Sequence, residues 1–442
     1  SAVIEGSIVL QTLFLPDTLS ETSLRFYTDN GRGALGTFQQ VNVTASWLAT
    51  GLAAQMILLF TSGEKNSGRG HCLGSCAKLA LSFLILATLS ACIVLTRSRI
   101  GWLGGTLCCL IIFCLLLKTH RFLSAQGLVL MLAPLTGILA GLMLLECTVA
   151  QAIAHTGSNH QRLLTLKETL AMIMQHPYRG WGIGTFRTAF QGYMASHFTA
   201  NPSRELMGHP HNELLYIWFE GGILALAGYL LIMLAAGWLI FIRPGTQRRV
   251  MGMIILPVVL HTWTEFPLYS SASHFVVLLI LLAILDLSGR SELPAFIVPG
   301  RLRPAFFFTR YAMILLSACI TLWLIKAFTT EALLCHFEDG TLDAPDRIAR
   351  IAPPPLTTDR YAHDLNLLNL VHYYGSRNPL FLRDYLSVNA QWLLNHPEPD
   401  DYDNQIQVLR VTGQTEMAER YFISASRLFP WDARFSRSDH AQ

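Results

Sequence analysis

Charge is what this chain has least of. Only 14% of its 442 residues are Asp, Glu, Lys or Arg, while 52% are hydrophobic, and its mean hydropathy is +0.40. A soluble globular domain carries about 25% charged residues. The shortage excludes that class and points to a membrane protein. Cationic excess is also slight, with a formal net charge of +3 and Lys and Arg scattered in short clusters, so no nucleic-acid partner is expected. The opening run, residues 1–10, has neither a basic region nor a cleavage site, so it does not read as a signal peptide. It reads instead as the tail of an apolar span, with earlier spans expected before it. The carboxylates form no cage for a divalent cation, and neither a metal nor another cofactor is expected. Cysteine usage carries no redox signature. Cys92, Cys108, Cys109, Cys114 and Cys319 lie in apolar runs as small core residues, while Cys72 and Cys76 beside His71 lack the second pair of a zinc site. A bridge between Cys147 and Cys335 stays open.

What is present is long apolar runs. A helix crossing a bilayer needs about 20 apolar residues. Residues 43–60, 79–96, 100–117 and 123–145 qualify without a single charge, followed by 214–242, 250–268, 271–285 and a shorter run at 311–325. These are eight candidate spans in an all-α polytopic fold. Lys65, Arg69 and Lys78, then Lys118 and Arg121, then Arg243, Arg248 and Arg249, then Arg290, Arg301, Arg303 and Arg310 fall in alternating loops. The positive-inside rule makes those loops cytoplasmic. The expected domains are therefore an outer segment 1–42, four spans in 43–145, a long periplasmic loop 146–213, four spans in 214–326, and a soluble helical domain 327–442.

Two features on the outer face resist a packing explanation. Gly208-His209-Pro210-His211-Asn212-Glu213 sets two imidazoles where the loop enters a span that carries a further acid, Glu220. An N-cap by Asn212 explains neither histidine, and ionisable groups in spans are functional candidates. Arg97 and Arg99 put cations on the face that should be poor in them, where a guanidinium would meet an anionic head group or simply snorkel into lipid phosphate. Within the loop, residues 161–175 read as an amphipathic helix. Gly180-Trp181-Gly182-Ile183-Gly184 then implies either close backbone approach or a tight turn over the membrane. No strand precedes it, so it is not a dinucleotide fingerprint.

Taken in order, Phe38-Gln39-Gln40-Val41-Asn42, Ser98-Arg99-Ile100-Gly101-Trp102, His176-Pro177 with Gly180, Gly182 and Gly184, and His209-Pro210-His211-Asn212 with Glu220 and Gly221 resemble the O-antigen ligase and polymerase superfamily. Glu265-Phe266-Pro267-Leu268-Tyr269 and the helical C-terminal domain look most like the protein O-oligosaccharyltransferases of the PglL type. Family members carry further N-terminal spans. The resemblance implies an inner-membrane glycosyltransferase of the GT-C type that moves a whole glycan from undecaprenyl diphosphate to an acceptor on the periplasmic side. The acceptor would be a pilin-like protein, lipid A core, or a growing polymer. It further implies metal-free inversion with His211 as base and Arg99 and Arg162 stabilising the diphosphate. Gln40 would orient substrate. His209, Asn212, Arg179, Arg187, Tyr269 and Glu220 complete the expected substrate surface.

The C-terminal region interleaves charges with short apolar runs. Gly413, Ala418, Ala425 and Pro430 have the spacing of a tetratricopeptide helix pair, with Leu409, Met417, Tyr421, Phe422 and Leu428 facing inward. It would pack on residues 380–395 and 364–374, as an acceptor platform or a structural cap. A transporter would instead place paired ionisable groups at mid-membrane in repeated halves, and a scaffold would need none of the arginines or histidines.

Overall fold

A computed structural model describes residues 1–20, 35–65, 73–147, 155–242, 250–287, 303–341 and 344–436. Arg69, His71, Cys72, Arg243, Arg248, Arg249, Arg290 and Arg301, and the side chains of Lys65, Cys147 and Arg303, lie outside the described residues. Among those described there is no strand. The longer helices run α1 (Ala2–Phe14), α2 (Val41–Lys65), α3 (Leu73–Leu95), α4 (Arg99–Lys118), α5 (Ala125–Cys147), α6 (His155–Gln175), α7 (Phe186–His197) and α8 (Glu213–Gly237). Then follow α9 (Leu256–Thr262), α10 (Ala272–Leu287), α11 (Arg303–Glu338), α12 (Thr358–Ser376), α13 (Pro379–Trp392), α14 (Pro399–Val411) and α15 (Thr415–Leu428).

Six of these are long and apolar enough to cross a membrane: Val41–Ser62, Cys76–Leu95, Arg99–Lys118, Ala125–Glu146, Glu213–Phe241 and Phe307–Glu338. Six of the eight expected spans thus appear among the described helices. Residues 250–268 do not form one helix: turns give way to the seven-residue α9, which opens on Pro257, and Pro267 starts a separate turn. Proline supplies no N–H to a preceding turn. The next helix, α10, is apolar and has 16 described residues. Irregular backbone is tolerated at membrane depth only where protein covers it, and here Val258, His261 and Glu265 are buried.

The chain divides into two compact units, residues 1–183 with 209–291, and residues 184–208 with 292–442. In the first, Leu48, Leu52 and Met56 of α2 pack with Leu86 and Leu89 of α3 and Cys108 and Ile112 of α4. Small residues let the backbones close: a Cβ at Gly137 of α5 would sit 2.1 Å from the Ala87 carbonyl oxygen of α3. That is the contact mode of helices in lipid, where hydrophobicity alone does not hold helices together. In the second unit α14 and α15 form a hairpin, turning at Gly413 with φ +77, whose inner face is Leu409, Ala418, Phe422 and Ala425. Met417, expected to face inward, is exposed. Cys335 of this unit is a free thiol.

α8 is broken at Gly222, where φ is 66 and ψ is −166. The glycine-rich loop supplies the lost donors: the Trp181 amide donates to the Phe219 carbonyl at 2.7 Å and the Gly182 amide to the Glu220 carbonyl at 3.0 Å. Trp181 also stacks on Phe219 with centroids 5.8 Å apart, and the Trp218 indole donates to the Pro177 carbonyl. Gly180 and Gly182 therefore serve a close backbone approach, the partner being the kink itself, whereas nothing lies within 4 Å of a Cβ at Gly184. A Cβ at Gly222 would lie 2.1 Å from the Tyr178 carbonyl oxygen, in a conformation that costs about 1–3 kcal/mol for other residues. Gly222→Ala should therefore lower the melting temperature in detergent. Gly228→Ala, where nothing lies within 4 Å, should not.

Candidate functional site

One cluster of polar groups in the first unit gathers around Glu265, which is 3% exposed. Its Oε1 accepts from Arg162 at 2.6 Å and from Asn42 Nδ2 at 2.6 Å; its Oε2 accepts from Gln40 Nε2 at 2.8 Å and faces His261 Nε2 at 3.3 Å. The four partners come from three elements. Gln40 directly precedes α2 and Asn42 lies in its first turn, after Gln39 turns the chain with φ 52. Arg162 projects from α6, and His261 ends α9. Asn42 carries the network further, because its Oδ1 accepts from Ser98 Oγ at 2.6 Å. Ser98 also caps α4, accepting from the Gly101 amide, so the turn that presents Arg99 is tied to the same carboxylate.

The His-Pro-His-Asn segment lies alongside. Asn212 caps α8 through the Leu215 amide and donates to the Trp263 carbonyl at 3.3 Å. His211 adopts φ 57, and its amide donates to His209 Nδ1 at 2.9 Å. That contact leaves the proton of a neutral His209 on Nε2, 3.6 Å from the Glu213 carboxylate, too long for a hydrogen bond. His209 is held between the rings of Tyr216 and Phe266, with centroids at 4.5 and 4.6 Å. Tyr269 donates to Glu213 at 2.9 Å. The His211 ring lies 6.2 Å from Phe266. Burial first, then the positive charge of Arg162, pushes its imidazole down to about 4, against a smaller upward pull from Glu265. His211 is therefore neutral at pH 7, with a lone pair available for a proton.

The expected residues thus divide. Gln40 and Arg162 share one carboxylate; His211 feels the charge of both Arg162 and Glu265; Asn212, His209 and Tyr269 build the wall beside them. Arg99 is exposed at the start of α4, linked through Ser98. Arg179 is exposed on the loop that caps the α8 kink, and Glu220 lies on α8 beside Tyr216. Arg187 belongs to the second unit, where it pairs with Glu398. Sequence reasoning gave Glu265 a minor place and overlooked His261 and Asn42. The available signal was the i,i+4 spacing of His261 and Glu265 in an otherwise apolar run.

All-helical architecture, apolar helices of membrane-crossing length and an internal polar cluster define a multi-pass membrane protein. Residues 83–230 match the family described as O-antigen ligase, and residues 250–442 the family described as virulence factor membrane-bound polymerase, C-terminal. The two matches support the O-antigen ligase and polymerase superfamily, a group of membrane glycosyltransferase-like enzymes. No curated protein and no solved structure matches the chain significantly.

Removing the hub should loosen several segments together. Glu265→Ala leaves the Arg162, Gln40 and Asn42 donors without their acceptor, and hydrogen bonds to charged groups are worth about 1.5–3 kcal/mol each. The expected result is a markedly lower unfolding midpoint in detergent, with Glu265→Gln falling between Glu265→Ala and the parent; equal midpoints would show that the carboxylate does not hold these segments.

Proposed function

We propose that this chain transfers a glycan en bloc from undecaprenyl diphosphate to a serine or threonine hydroxyl of an exported protein such as a pilin, at the periplasmic face of the inner membrane. The observation that carries the reading is the convergence of Arg162, Gln40 and His211 around Glu265, in a chain with the family matches above. The acceptor oxygen attacks the anomeric carbon from the side opposite the diphosphate, so configuration inverts. As the new C–O bond forms, the bond from the anomeric carbon to phosphate oxygen breaks, the hydroxyl proton passes to His211, and undecaprenyl diphosphate leaves. Arg162, with Arg99 at the membrane edge, supplies permanent positive charge to the departing phosphates, the type of stabilisation that acts most strongly where charge develops. Gln40 offers a buried side-chain oxygen with no partner, suited to a substrate hydroxyl. His209 and Tyr269 line the approach, and the helical hairpins of the second unit, similar in pattern to a tetratricopeptide pair, serve the acceptor protein.

The family description as O-antigen ligase favours a second reading, with a lipid A core sugar as acceptor. Intact-mass measurement of a pilin co-expressed with this chain and a lipid-linked glycan separates the two: a glycan-sized increment on the pilin is expected, and glycan on lipopolysaccharide alone would replace the first reading with the second.

His211→Ala should lower transfer by about 100- to 10,000-fold, the range for a positioned base, with the melting temperature of the parent; retained transfer would remove His211 from the mechanism. The pH dependence carries a sign. Because the His211 imidazole is held near 4 in the free protein, kcat/KM should stay flat as pH falls through 6.5 and drop only near 4. When the anionic diphosphate neutralises Arg162, the downward push on His211 weakens, so the acid limb of kcat should lie at higher pH than that of kcat/KM.

A further inference from the structure

Behind Glu265, on the side away from Arg162, runs a line of buried polar groups that the transfer reading does not use. His261 Nδ1 lies 2.9 Å from Ser46 Oγ, Ser46 Oγ lies 3.0 Å from His274 Nε2, and His274 Nδ1 lies 2.8 Å from Ser271 Oγ. His261 and His274 are 0% exposed and Ser46 is 1% exposed. Phe38 and Trp47 pack against the His274 ring at 5.4 and 5.0 Å. Four hydrogen-bonding side chains from three elements have thus been buried in an apolar unit in one connected line. Buried polar groups without partners are costly, and complete networks specify one arrangement.

Proton assignment shows what the line does. Gln40, Asn42 and Arg162 all present donors to Glu265, so a protonated carboxyl would find no acceptor among them. An ionised Glu265 calls for an N–H on His261 Nε2, and a neutral His261 then accepts at Nδ1 from the Ser46 hydroxyl, whose one proton is placed between the ring nitrogen at 2.9 Å and the Val43 carbonyl at 3.0 Å and turns to the ring. Ser46 in turn accepts from His274 Nε2–H, and His274 Nδ1 accepts from the Ser271 hydroxyl. With both rings neutral, every hydrogen bond in the line donates toward Glu265.

We propose that Ser271, His274, Ser46 and His261 form an oriented hydrogen-bond relay that fixes the Glu265 carboxylate in its ionised form, and that these four are positioning residues for Arg162 and Gln40 in glycan transfer. No proton travels along the relay. It sets the His261 tautomer and ring angle, which keeps an N–H toward the carboxylate and leaves it charged and aimed at Arg162; without it, His261 can turn a lone pair at Nε2 toward Glu265, which then has an acceptor for a carboxyl proton and holds the guanidinium less strongly. The catalytic part of this proposal rests on the transfer reading, whereas the ionisation of Glu265 does not.

The test uses the full chain in vesicles of bacterial lipid, with a lipid-linked glycan and a pilin acceptor. Ser46→Ala should lower kcat by about 10- to 100-fold, as loss of outer orienting partners does elsewhere, leaving KM for the lipid-linked glycan unchanged. Infrared difference spectra should show a protonated-carboxyl stretch in Ser46→Ala that is absent from the parent and from Ser46→Ala combined with Glu265→Gln. His261→Gln, which keeps an N–H donor toward Glu265, should keep the carboxylate ionised and retain most of kcat, whereas His261→Leu should lose both. A protonated Glu265 in the parent at neutral pH, or parental kcat with an ionised Glu265 in both Ser46→Ala and His274→Leu, overturns the proposal. Should the parent transfer no glycan, the transfer reading fails while the infrared comparison still decides the relay.

Discussion

A carboxylate buried in a chain this poor in charge is the constraint on which the first unit depends. An unpaired carboxylate at 3% exposure carries a desolvation penalty of several kcal/mol, so Glu265 is tolerable only when its donors are all in place. Those donors come from the approach to α2, from α6 and from α9. None of these segments can settle independently. The same requirement that makes Glu265 expensive to bury makes the position of Arg162 unambiguous, because its guanidinium is held by a carboxylate that packing has already fixed.

Broken helices make the site possible. A regular span directs its backbone groups at itself and its side chains at lipid or neighbours. At residues 250–271 the chain abandons one long helix for a seven-residue helix and a proline turn, and this irregularity lets His261, Glu265 and Ser271 point into the protein. α8 repeats the device at Gly222, with the freed carbonyls of Phe219 and Glu220 taken by amides of the preceding loop. In both places the irregular backbone is covered by protein, as the lack of water in a bilayer demands.

Much of this architecture was legible from residue order. Length and apolarity located the six described helices that are long enough to cross a membrane, and residue spacing located the amphipathic α6 and the hairpin turning at Gly413. They failed at residues 250–268 because a mean over a window is blind to Pro257 and Pro267, which end helices locally whatever the surrounding hydropathy. The candidate site was legible as a set of residue types and hidden as a geometry. Gln40, Arg162 and Glu265 are far apart in the chain, and nothing in the spacing says that they share one carboxylate. Ser46 lies in an apolar run far from His261 and His274 in the chain, and only the fold shows that the three touch. Met417 was misassigned because helical periodicity fixes which residues share a face, but not how wide a face the neighbour covers.

The docking of residues 177–182 onto the α8 kink also bears on how the chain is made. The loop is synthesised before α8, so the Trp181 and Gly182 amides already exist when Gly222 leaves the ribosome. A helix with a break in its middle is a poor passenger in hydrocarbon, since its two freed carbonyls would face lipid. The cap lies in the segment just ahead of the helix, so sealing the defect requires only a neighbour in sequence and no distant helix.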